Sequence, residues 1–150
     1  MSKLKTSDQC RVVMDRARSK GEHEIYRNVF RRYCEIAGKD ADDPADPIIR
    51  DFHETLAAYE QLLTERNGRT TSASRTRQKI NNKGVIQSLV EWTAAKKETE
   101  GFGLLLKAGL AQYTGEYLVV RYADRFPPHI VELAKARLSQ HKIALPLKTE

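Results

Sequence analysis

Long apolar stretches are missing from this chain. No run approaches the roughly 18 residues that a membrane-crossing helix needs, and Met1 to Lys5 lead into a polar segment instead of an apolar leader. Spanning a membrane and secretion by signal peptide are therefore not expected. Cysteine is scarce as well: Cys10 and Cys34 stand alone, with no CxxC spacing. A disulfide framework is excluded on that count, and a reducing, cytoplasmic setting is expected. With Gly counted and Tyr left out, apolar residues number 62 of 150, below the usual share of about 45–50%. Such a chain can bury only a thin core, and its length argues for one domain, taken as residues 1–142 with a flexible tail at 143–150.

Catalytic signatures are missing too. His23, His53, His129 and His141 are far apart, with no HExxH and no Cys/His quartet. Gly101-Phe102-Gly103 lacks the third glycine and lysine of a phosphate loop, and reads as a hinge or a packing point. No nucleophile elbow of the G-x-S-x-G kind occurs. The acidic loop with Asp40, Asp42, Asp43 and Asp46 does not combine the glycine at position six and the acid at position twelve that an EF-hand loop needs. A metal-dependent nuclease would need carboxylates converging beside a lysine, and Glu116, Asp124 and Glu132 with Lys135 are the set available. That reading is a lesser alternative. No catalytic residue, metal or cofactor is assigned.

What the chain does have is positive charge, gathered in one place. The net charge is +6, and residues 66–83 hold six basic side chains and no acidic one, equal to the whole excess. They are Arg66, Arg69, Arg75, Arg77, Lys79 and Lys83. Clustering of one sign makes a local potential that a polyanion feels, whereas scattered charge mainly serves solubility.

The hydrophobic pattern is helical throughout, so the fold class expected is all-α. Helices are expected over Ser7–Ser19, Glu22–Ala37 and Asp46–Arg66, the last with Asp46 as N-cap and Pro47 in its first turn. Gly21, Gly38 and Gly68 supply the stops. The second helix carries a stripe of Ile25, Val29 and Tyr33, widened by Tyr26, Phe30 and Ile36. The third carries Phe52, Leu56, Tyr59 and Leu63, with Ile48, Ile49 and Leu62 alongside. A polar helix at 71–82 follows, with N-caps offered by Thr70, Thr71 and Ser72, and then Val85–Lys97. After a break at Glu98–Gly101 comes a short helix at Leu104–Ala108. Tyr117–Tyr122 has β-branched content but no partner run, so helix is preferred. The last helix opens at Pro128 and buries Ile130, Leu133, Ala134 and Leu138.

On a helix at about 100° per residue, Ser74, Arg75, Gln78, Lys79 and Asn82 share an arc of about 140°. Ala73, Thr76 and Ile80 lie opposite, with Arg77 at their edge. Arg and Lys neutralise phosphates or address guanine, Gln and Asn pair with adenine, and hydroxyls bond phosphate oxygens. The open N–H groups at the helix start favour an anion. A preceding helix, the turn at Asn67–Thr70 and this polar helix describe a helix-turn-helix-like unit. In that register Ser74 and Arg77 fall where such motifs bury aliphatic side chains. Ile80-Asn81-Asn82-Lys83-Gly84 resembles the end of the recognition helix of lactose-repressor-type regulators over those few residues, and no function is carried across.

The expectation is a nucleic-acid-binding helical protein, duplex DNA before RNA. Arg69, Arg75, Arg77, Lys79 and Lys83 would hold phosphates, and Ser74, Gln78, Asn81 or Asn82 would touch phosphates or bases. A homodimer would suit palindromic sites. The alternative is a module docking an acidic protein through the same face. Arg27, Arg31, Arg32, Lys135 and Arg137 read as solvated helix faces.

Overall fold

In a computed structural model, residues 4–39 and 45–146 are described. Every regular element among them is helical: eight α-helices and two 3-10 turns, with no strand. The chain divides into two compact units, 1–58 and 59–150.

In the first unit, α1 (Ser7–Lys20) opens with a capping box. The Thr6 hydroxyl accepts from Gln9 N–H, and the Gln9 side chain accepts from the Thr6 N–H. Gly21, at φ +69°, ends it in the left-handed conformation, and α2 (His23–Lys39) turns back along it as a helical hairpin. Cys10, Met14 and Ala17 of α1, and Val29, Phe30, Tyr33, Cys34 and Ile36 of α2, are buried. Ile25, expected in the core stripe, is exposed instead. Burial stops at Ala17 on one helix and Val29 on the other, which leaves the hairpin tip in solvent.

Gly38 does not stop α2 but lies inside it. A Cβ there would come within 2.8 Å of Glu54 Cγ, so the glycine permits a close approach to the start of α3 (Pro47–Asn67). Asp46 caps α3 as expected, its carboxylate accepting from Ile48 N–H at 3.2 Å. Asp40, Asp42 and Asp43 lie outside the described residues.

The second unit takes the rest of α3, α4 (Ser74–Lys83), α5 (Val85–Ala94), α6 (Glu100–Lys107), α7 (Gly115–Arg121) and α8 (Pro128–Gln140). Helices α5, α7 and α8 pack together, with Leu89, Val119, Ile130, Ala134 and Leu138 among their buried residues. Gly115 lets α7 approach Leu89 and Trp92, its would-be Cβ lying 3.1 Å from each. Leu133, expected on the apolar face of α8, is exposed. The buried residues Ile130, Val131, Ala134 and Leu138 span an arc of about 100°, and Leu133 lies about 60° outside it.

Further boundaries differ from the sequence reading. Helix α5 ends at Ala94, and α6 starts at Glu100, because the Thr99 hydroxyl caps it by accepting from Phe102 N–H at 3.2 Å. Gly101 and Gly103 are thus helical; Gly101 packs on Tyr59, where a Cβ would meet the ring at 3.3 Å. Helix α4 begins at Ser74 and runs to Lys83 instead of spanning 71–82.

Candidate nucleic-acid interface

The polar helix hangs from α3 by a short connection. Gly68, at φ +71°, ends α3. Thr71 then ties the loop back, its N–H donating to Thr64 Oγ1 at 2.9 Å. Neither Thr71 nor Ser72 caps α4, whose N-cap residue is the buried Ala73. Glu60 of α3 fills that role from outside: its Oε2 accepts from the Ala73 N–H at 2.7 Å. A carboxylate of the protein itself thus holds the N–H of the N-cap residue, beside the start of α4 where a phosphate was expected.

The same carboxylate binds Arg77, which donates from Nε to Oε2 at 2.8 Å and from Nη2 to Oε1 at 2.5 Å. Glu60 is 12% exposed in its side chain and Arg77 48%, so the acid is sunk in the protein while the guanidinium bridges outward. This explains the misfit of Arg77 with a helix-turn-helix. The position that would bury an aliphatic side chain carries a cation paired with the supporting helix, and Ser74, the other such position, is exposed. None of the ten residues of α4 is buried, so charge at its two ends does much of the work that an apolar face does elsewhere.

At the far end, Lys83 Nζ lies 2.8 Å from Glu91 Oε1 of α5. Gly84 joins the two helices directly, at φ 84° and ψ 167°. Arg66 pairs with Glu100 at 2.6 Å. Three of the six cations of the basic segment, Arg66, Arg77 and Lys83, are thus matched by acids from other parts of the chain. Arg69, Arg75 and Lys79 are exposed and, among the described residues, have no carboxylate partner. Gln78, Asn81 and Asn82 are exposed beside them, while Thr76 and Ile80 are half-buried.

The remaining basic residues divide. Arg27 and Arg31 are exposed on α2. Arg32 donates to the Leu4 carbonyl at 3.0 Å and to Glu35. Lys135 sits 3.6 Å from Glu132 on the surface of α8. Arg137 is not a solvated helix residue at all: its side chain is 12% exposed and that of its partner Glu116 3%, with 2.7 Å between them. It also donates to the carbonyls of Trp92 at 3.3 Å and Ala95 at 2.9 Å. Burial pushes the Glu116 carboxyl above its ordinary value, against the hydrogen bond and charge of Arg137, which pull it down. Nothing in the spacing of Glu116 and Arg137 announces this pair, since it forms across two helices.

The carboxylates singled out for a nuclease do not stand free together. Glu116 is committed to Arg137 and Glu132 to Lys135. Among the described residues, no three His, Cys, Asp or Glu side chains gather as a metal-holding group, and no helix is long and apolar enough to cross a membrane. His141 is engaged by Glu98 at 2.6 Å and packs edge-on to Phe102. Set against known proteins, the chain matches no family model, no curated protein and no solved structure.

Proposed function

We propose that the outward face of α4 binds nucleic acid, duplex DNA in preference to RNA, without catalysis. The observation that carries this reading is the set of exposed cations Arg69, Arg75 and Lys79, without a carboxylate partner among the described residues, beside the amides Gln78, Asn81 and Asn82 and the hydroxyl of Ser74. Cations give sequence-independent attraction to phosphates, and the amides supply donors and acceptors for base edges in the major groove. Arg77 and Lys83 hold the helix in place through Glu60 and Glu91, and phosphate contact falls to the other three. A ten-residue helix covers a small interface, so two copies on a two-fold site would add affinity.

Fluorescence anisotropy with mixed duplex DNA, single-stranded DNA and RNA across a salt series tests it. Three phosphate contacts contribute a slope of log K against log[salt] of about −2.7, and Arg75→Ala/Lys79→Ala should reduce its magnitude by about 1.8. Unchanged binding by that double variant overturns the assignment of the face. Failure of every nucleic acid at low salt, with capture of polyglutamate instead, transfers the face to an acidic protein partner.

A further inference from the structure

A second group of cations is assembled by tertiary contacts. Arg137 of α8 reaches across to the carbonyls of Trp92 and Ala95, at the end of α5, and His141 bonds Glu98. These bonds fasten the segment 95–98 to the end of α8. The segment carries Lys96 and Lys97, and the first residue beyond the α8 cap is Lys142. All three are exposed, and none has a carboxylate partner among the described residues. Glu98, the acid nearest in sequence to Lys96 and Lys97, is occupied by His141.

Lys142 adds a separate observation. Its N–H donates to the Ser139 carbonyl and the Ile143 N–H to the Leu138 carbonyl, both at 3.0 Å. This is the helix-ending motif whose left-handed position is ordinarily glycine. Here a lysine occupies it at φ 60°, and it is the one non-glycine residue with positive φ among those described. A charged side chain on backbone where glycine would sit more easily fits a position kept for contact.

We propose that Lys96, Lys97 and Lys142 form a second phosphate-contacting surface for the nucleic acid that α4 engages. The inference rests on the nucleic-acid reading given above. Lysine suits the task, as a flexible point charge that holds a phosphate without reading sequence. The ten residues of α5, about 15 Å long, lead from the end of α4 to the segment that carries Lys96 and Lys97, a span within one duplex turn of about 34 Å.

The test compares wild type, Lys96→Ala/Lys97→Ala, Lys142→Gly and Arg75→Ala/Lys79→Ala in the same anisotropy series with mixed duplex DNA, alongside thermal melts. Losing two phosphate contacts should make Lys96→Ala/Lys97→Ala about twelve-fold less sensitive than wild type to a rise from about 50 to 200 mM salt. For Lys142→Gly the expected difference is about 3.5-fold, together with a raised Tm. A Lys142→Gly protein that melts higher yet binds less tightly would show that the lysine is kept for contact at the expense of stability. If wild type binds and Arg75→Ala/Lys79→Ala is weakened, while both patch variants keep the wild-type salt slope, the second surface is overturned and α4 stands. If wild type binds no DNA at low salt, the α4 reading itself falls, and the second surface with it.

Discussion

Glu60 and Arg77 face each other as a two-pronged pair, with guanidinium-to-carboxylate distances of 2.8 and 2.5 Å. The acid of this pair also takes the N–H of Ala73, the N-cap residue of the helix that Arg77 belongs to. One side chain of α3 therefore caps α4 and fixes its rotation.

Glu60→Ala should remove both functions. The expected loss is about 1–2 kcal/mol, at the low end for charged hydrogen bonds because Arg77 is half exposed. Hydrogen exchange should show the α4 amides losing protection before those of α5, since α4 buries no residue of its own. Equal protection in the variant and wild type would show that α4 is held by something other than Glu60.

Arg137→Met should be far costlier, about 3–5 kcal/mol at neutral pH, because it strands a carboxylate that is 3% exposed. Urea unfolding measures it. The double variant Glu116→Leu/Arg137→Met should recover most of the loss, since it leaves no charge to strand.

The raised carboxyl of Glu116 has a signed consequence for pH. The folded state holds that proton more tightly than the unfolded chain, so the contribution of Glu116 is most favourable below the ordinary carboxylate value. It is lost as pH rises through the raised folded value. Stability of wild type relative to Glu116→Gln, followed by urea melts over an acid-to-neutral series, should fall as pH increases through that window. In Arg137→Met, which lacks the opposing cation, the same window should extend further upward. A flat difference curve would mean that Arg137 fully offsets the burial.

Two helical glycines should respond in opposite directions to alanine. Gly103 in α6 has nothing within 4 Å of its would-be Cβ, so Gly103→Ala should stabilise by about 0.5–1 kcal/mol through helix propensity alone. Gly38→Ala drives a Cβ to 2.8 Å from Glu54 Cγ and should lower the denaturation midpoint despite the same propensity gain.

The helical architecture was legible in the sequence because its apolar spacing and its caps agree. Asp46-Pro47, Gly21 and Gly68 act at the chain positions where their chemistry predicts, and Tyr117–Arg121 is helical in spite of its β-branched content. Boundaries failed where a remote group decides them, as at α4, and where a local cap outweighs glycine, as Thr99 does at the start of α6. Glu60 caps α4 from another helix and moves its start from 71 to Ser74. The α4 face was equally legible as a pattern: Ser74, Arg75, Gln78, Lys79 and Asn82 are all exposed, as their arc requires. Which cations remain available was not, because Glu60, Glu91 and Glu100 lie 17, 8 and 34 residues from Arg77, Lys83 and Arg66. Arg137 misled for the same reason, since its partner Glu116 is 21 residues away.

Gly84 carries one more implication. Its N–H donates to the Ile80 carbonyl while its own carbonyl accepts from Ser88, so it closes one helix and opens the next with no linker between. The dihedrals it adopts are essentially reserved for glycine. The angle at which the basic rod projects from α5 therefore turns on one residue that no side-chain-bearing amino acid replaces without strain.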